Sequence, residues 1–191
     1  MTAALDHERF MHLAIDEAER ARGSTGDNPW VGCVLVDGDG AVVARGHTQG
    51  PGEDHAEIVA IRDVKARGLA LEPLTMYSTL EPCSFHGRTP ACSRVIVDHG
   101  IRRVIIGMRD PHPRVDGVGA QILRDAGVEV IEAVCEREVR RQLGVWVFAH
   151  HPHEPLRRAR AMTIDRGAIV LELAAIYAVD PELVRGVLER A

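Results

Sequence analysis

Four side chains in this sequence could together make and use a strong nucleophile from water. His55 and Glu57 flank Ala56, and Cys83 and Cys92 stand further along with eight residues between them. Imidazole nitrogen and thiolate sulfur are ordinary zinc ligands, and a catalytic zinc keeps a fourth position open for water. Coordination lowers the pKa of that water toward ~7, which yields a nucleophile at neutral pH. Glu57 comes two residues after His55, a spacing that does not share a helix face. It is therefore placed to reach the bound water rather than to join the ligands. A metal-activated water with a carboxylate proton carrier suits attack on an amidine carbon and loss of ammonia. A closed structural zinc site, with His86 as fourth ligand, is the plain alternative.

The elements that must hold these groups follow from the apolar pattern. Residues 6–22 read as an amphipathic helix with Phe10, Leu13, Ala14, Ala18 and Ala21 on one face. Residues 31–36 and 41–44 read as a hairpin around Asp37-Gly38-Asp39-Gly40. Residues 55–67 read as a helix with Asp54 as N-cap. Strands are then expected at 76–80, 104–107 and 128–131, and helices at 92–99, 119–126 and 136–143. A hairpin followed by strand–helix alternation predicts an α/β fold with a mixed sheet between helical layers. The triplet then opens one helix and the cysteines lie in a strand-to-helix loop, where the positive ends of helices favour thiolate and hydroxide.

At 191 residues the chain fits one domain with a small appendage. A formal net charge of -5 disfavours a nucleic-acid backbone as partner. The apolar run 168–179 contains Glu172 and is too short to span a bilayer. The first residues lack a signal-peptide pattern, so a cytoplasmic, reducing setting is expected. There, two of the four cysteines beside a His-x-Glu triplet read as metal ligands, and Cys33 and Cys135 as packing residues. The tail carries His150, His151 and His153, then Arg157, Arg158 and Arg160. The arginines read as a solvated face and 169–179 as core or oligomer contact. Asp180-Pro181 reads as the start of a last helix with Leu183, Val184, Val187 and Leu188 on its apolar face.

His55-Ala56-Glu57 and Glu81-Pro82-Cys83-Ser84 through Cys92 resemble the zinc-dependent cytidine-deaminase-like enzymes. Most of that superfamily separates its cysteines by two residues. The longer spacing here, with Gly87-Arg88-Thr89-Pro90 inside it, resembles the deaminase domain of the riboflavin-biosynthesis pyrimidine deaminase/reductase. So do Asn28-Pro29-Trp30-Val31-Gly32-Cys33-Val34, Gly100-Ile101-Arg102-Arg103-Val104, and Asp110-Pro111 with Pro113. The resemblance implies a three-layer α/β/α sandwich over residues 1–148, with 149–191 a helical extension too short for the reductase domain. It implies Zn2+ on His55, Cys83 and Cys92, with Glu57 as catalytic proton carrier. The substrate would be a small pyrimidine-type molecule, a diaminopyrimidinone ribosyl phosphate. Asn28 would bind the pyrimidine edge, Arg88 and Thr89 would lie near the ribose phosphate, and Asp110 would face the ribose. A homo-oligomer is expected, with neither nucleic acid nor membrane as partner. The sequence departs from the family at Thr48 and Phe85, where histidines are usual, and at His112, where asparagine is usual; Asp116 and Val118 replace small or basic residues. Those changes open two alternatives: a deaminase of another pyrimidine or purine base or nucleoside, and a silent zinc scaffold pairing with a separate reductase.

Overall fold

The sheet is built from a hairpin and three further strands. The computed structural model describes residues 5–85 and 90–191. Strand β1 (Gly32–Val36) is buried along its whole length and turns back through 37–41 into β2 (Val42–His47). The turn is closed by Asp37, whose carboxylate accepts the backbone N–H groups of Asp39 and Ala41, and by Gly40 at φ 83°. Strand β3 (Thr75–Leu80) is also buried throughout and runs antiparallel to β1 on its other side. Strands β4 (Arg103–Met108) and β5 (Glu129–Ile131) add parallel to it, giving the order β2-β1-β3-β4-β5. Parallel neighbours need crossovers, supplied by α3 (Cys92–Asp98) and α4 (Val118–Asp125).

Side chains at alternate positions serve opposite faces. Val34, Val36, Tyr77 and Ile105 pack on Phe10, Met11 and Ala14 of α1 (His7–Glu19). The other face carries α2 (Ala56–Ala66), which touches β1, β2 and α3, while α3 touches α4. The result is a three-layer α/β/α sandwich around a mixed sheet. Two glycines set how closely the helices lie. A Cβ on Gly32 would stand 1.9 Å from Ala14 O, and one on Gly46 would stand 2.3 Å from Ala56 O. Gly46 therefore lets the first turn of α2, which carries the His-x-Glu triplet, rest on the sheet.

The chain divides into two compact units, Met1–Glu136 and Arg137–Ala191. The second takes in residues 137–148, because α6 (Gly144–His150) belongs with the tail: a Cβ on Gly144 would meet Tyr177 O at 1.9 Å. It follows α5 (Glu136–Gln142) and precedes α7 (His153–Ala161), α8 (Arg166–Tyr177) and α9 (Pro181–Glu189). Val170, Leu173, Ala174 and Tyr177 make α8 part of this unit's core, while Leu171 is 64% exposed. Asp180 caps α9 as its sequence predicts, accepting from Glu182 N–H. Buried Glu154 accepts hydrogen bonds from Arg140 and Arg158 and lies 3.9 Å from the largely exposed Arg157, so two of the three tail arginines pair with it.

Candidate active site

The helix α2 begins one residue later than its sequence suggests, and that shift matters. His55, not Asp54, is the N-cap residue, with extended φ -74° and ψ 161° and no side-chain cap bond. The Asp54 carboxylate is taken by Arg62 instead. An imidazole that leaves the cap position unfilled can turn toward the cysteines. Glu57 lies in the first turn of α2 and is only 3% exposed. Cys83 follows the end of β3, and Cys92 is the first residue of α3. The sheet order puts these starts and ends side by side, at the carboxyl ends of parallel strands where α/β folds place their sites.

His55 Nδ1 lies 3.3 Å from Cys92 Sγ and 3.8 Å from Cys83 Sγ. The three possible ligand atoms all fall within 4.8 Å of one another, the only such group of three among the described residues. Zinc bonds of ~2.0–2.3 Å at tetrahedral angles separate ligand atoms by roughly 3.6 Å. The two His55–sulfur distances straddle that value and the third lies within 4.8 Å, so the three side chains are grouped as ligands of one zinc ion would be. Among the described residues these three stand as the whole group, which would leave a fourth tetrahedral position for water.

Electrostatics point the same way. Cys83 is held down to about 4, chiefly by a hydrogen bond from Cys92 and then by one from His55. Cys92 is pushed well up, because its neighbour already holds the negative charge and burial disfavours a second one. Hydrogen bonding to Cys83 raises His55 to about 9. One positive ring thus balances one thiolate, and a second thiolate needs a cation of higher charge in the same place. Burial raises the Glu57 carboxyl above its usual range, opposed by the charge of His55. A raised carboxyl suits a group that must both take and return a proton near neutral pH.

The remaining expected residues are distributed unevenly around this cluster. Asp110 lies two residues past the end of β4, where Met108 O accepts the backbone N–H of Glu81 at 2.9 Å. Its carboxyl is raised to about 7 by burial, with Glu81, Cys83 and Asp116 adding to the rise and His112 N–H opposing it. Asn28 stands in the loop before β1, held there by Thr25, whose hydroxyl donates to Asn28 O. That loop enters the sheet beside the end of β3, since Gly32 N–H donates to Thr79 Oγ1 at 3.1 Å. Arg88, Thr89 and His86 lie outside the described residues.

The departures from the family pattern have plain physical settings. Thr48 is buried and exchanges bonds with the backbone of Val31. Its neighbour His47 points to the opposite face of the sheet, 2.8 Å from the buried Glu17 of α1, and so does not replace a ring at 48. Phe85 and His112 stack on each other, ring centres 5.5 Å apart, and the Arg114 guanidinium covers Phe85 at 4.2 Å. Two of the changed positions are therefore one contact.

Glu81 was not singled out for a role by its sequence setting. It is buried, and its carboxylate accepts three backbone N–H groups, from Asp110, Gly117 and Ala120. Only its place directly before Pro82-Cys83 gave a hint.

Residues 5–108 match the model of the cytidine and deoxycytidylate deaminase zinc-binding region, a stretch that holds His55, Glu57, Cys83 and Cys92. The chain belongs to this family. Within it, the chain is 37% identical over 160 residues to the riboflavin biosynthesis protein RibD of Aquifex aeolicus, covering 81% of this chain and 43% of that one. It is 44% identical over 128 residues to RibD of Escherichia coli, covering 66% and 33%. A solved structure from Thermotoga maritima, of a diaminohydroxyphosphoribosylaminopyrimidine deaminase/5-amino-6-(5-phosphoribosylamino)uracil reductase, aligns with TM-score 0.66 at 42% identity, over 71% of this chain and 38% of that one. The chain spans less than half the length of these relatives. Among the described residues, no helix is long and apolar enough to cross a membrane.

Proposed function

We propose that this protein is a zinc-dependent hydrolytic deaminase of a diaminopyrimidinone ribosyl phosphate, the reaction type of riboflavin biosynthesis. The convergence of His55, Cys83 and Cys92 within 4.8 Å, beside buried Glu57, carries the reading. Zinc, when bound by those three residues, supplies an acidified water and a Lewis acid. Glu57 takes one proton from the attacking water and delivers it to the ring nitrogen, then takes the second from the new hydroxyl and delivers it to the amino group, which leaves as ammonia. Water replaces the ring amino group and the product is the corresponding uracil compound. Asn28 orients the pyrimidine edge, Asp110 faces the ribose, and Arg88 and Thr89 meet the phosphate.

A second reading keeps the chemistry and changes the substrate. It is favoured by the Phe85–His112 contact, which replaces two polar family positions by a ring stack. The experiment is ammonia release by zinc-loaded protein from the phosphorylated diaminopyrimidinone, its dephosphorylated form, and a panel of bases and nucleosides. Glu57-dependent release from the phosphorylated compound alone supports the first reading. Release only from another compound replaces it by the second. No release from any, with zinc bound, supports the scaffold alternative. Self-association is tested by mass in solution.

A further inference from the structure

The buried carboxylate of Glu81 has no part in the chemistry just described, yet it ties together two segments that the chemistry needs. Its Oε2 accepts the backbone N–H of Asp110 at 3.3 Å and of Gly117 at 2.9 Å, and its Oε1 accepts that of Ala120 at 3.0 Å. Gly117 is the N-cap of α4, in the left-handed region at φ 85°, where its own side chain offers no oxygen. The first turn of α4 leaves N–H groups without intrahelical partners. A carboxylate near a helix N-terminus both accepts such bonds and suits the dipole. Glu81 thus fills the missing cap of α4 from a different element, 36 to 39 residues earlier in sequence.

A second observation fixes the same junction. A Cβ on Gly119 would stand 2.0 Å from Pro82 O and 3.2 Å from Glu81 Oε1, so the backbone of 81–82 rests directly on the first turn of α4. A third tie runs from Ser84, whose hydroxyl donates to Arg114 O at 2.7 Å. The segment 81–84 contains Cys83, and the loop 109–117 contains Asp110 and His112.

We propose that Glu81 is a positioning residue that holds the loop bearing Asp110 in register with the metal-facing Cys83, and so sets substrate binding rather than the chemical step. The inference rests on the deaminase reading given above. A carboxamide cannot reproduce the arrangement, because one end accepts while the other must point an N–H2 at a backbone N–H. In Glu81→Gln either Ala120 or the Asp110–Gly117 pair therefore faces a donor, and a buried donor is left unpaired.

The test compares wild type with Glu81→Gln and Glu81→Asp, all zinc-loaded. Backbone amide exchange at Asp110, Gly117 and Ala120 is followed together with zinc content, kcat and KM. Wild type is expected to protect the three amides. Glu81→Gln is expected to lose that protection, keep its zinc, and raise KM by about tenfold with kcat changed less than about threefold. Glu81→Asp, which keeps the charge, is expected to recover part of the affinity. Rapid exchange of the three amides in wild type overturns the proposal, even if Glu81→Gln does not fold. So does loss of zinc or of kcat in step with KM, which is what general destabilisation would give. Failure of the deaminase reading is a separate result: wild type itself would release no ammonia, while the amide measurement would still report on the tie.

Discussion

The zinc cluster and the loop after β4 occupy neighbouring strand ends, but they are held by different means. The cluster is fixed mainly by regular elements: His55 and Glu57 by a helix that Gly46 lets settle on the sheet and Cys92 by the first turn of α3, with Cys83 three residues past the end of a fully buried strand. The loop from 109 to 117 has no such frame. It is held by side-chain bonds to its backbone, above all those to Glu81, and by the Phe85–His112–Arg114 stack. A frame of packed elements changes little when surface residues change. A loop held by a few side chains can be retuned one residue at a time. The family departures at Phe85 and His112 fall in or against the second region, which is where a change of substrate would be made.

The contrast is broken most severely by removing a ligand. Cys92→Ala is expected to lose stoichiometric zinc and all measurable turnover, read by metal analysis; full zinc occupancy with this variant would remove Cys92 from the ligand set. Next, Glu57→Gln is expected to keep zinc and lower kcat by about a thousandfold, within the range for a positioned acid–base group. A zinc-loaded Glu57→Gln with normal turnover would assign proton transfer elsewhere.

Changes in the loop region should be smaller and should leave zinc untouched. Phe85→His breaks the stack and the Arg114 contact, and is expected to alter kcat/KM among ring substrates by about tenfold. Equal effects on every substrate would show that the stack does not contribute to selection. The last effect is on stability. Asp110 has its carboxyl raised from 3.8 to about 7, mainly by burial. A raised carboxyl stabilises the fold while protonated, fully below pH 3.8, and that contribution is lost as pH rises through about 7. In protein stripped of metal, Asp110→Asn should therefore gain on the order of 2 kcal/mol over wild type between pH 4 and pH 8, allowing for partial solvent screening. Denaturant midpoints at the two pH values measure it, and parallel curves would contradict the assignment.

Much of this was legible in the chain, for identifiable reasons. The buried runs of β1 and β4 stand out as apolar stretches, and the ligand types and Glu57 stand out by their chemistry. Strand β2 runs on to His47 although Arg45 is exposed, because its pairing with 32–34 is made by backbone groups that side-chain pattern does not report. The expected cap at Asp54 failed because Arg62, eight residues on, competes for that carboxylate. Helix α7 was hidden by Pro152 and Pro155, breakers that a helix tolerates in its first turn. Glu81 was the least legible of all. Its partners are backbone N–H groups 29 to 39 residues away, and no residue type marks a backbone donor.

The most direct test of the central claim is turnover in 18O-labelled water, with zinc-loaded protein and whichever ring compound releases ammonia. The account predicts one labelled oxygen in the product carbonyl for each ammonia released by wild type, and neither label nor ammonia above background with Glu57→Ala. Ammonia released without label, or labelled product formed equally well without Glu57, would contradict a hydrolytic deamination driven from this site.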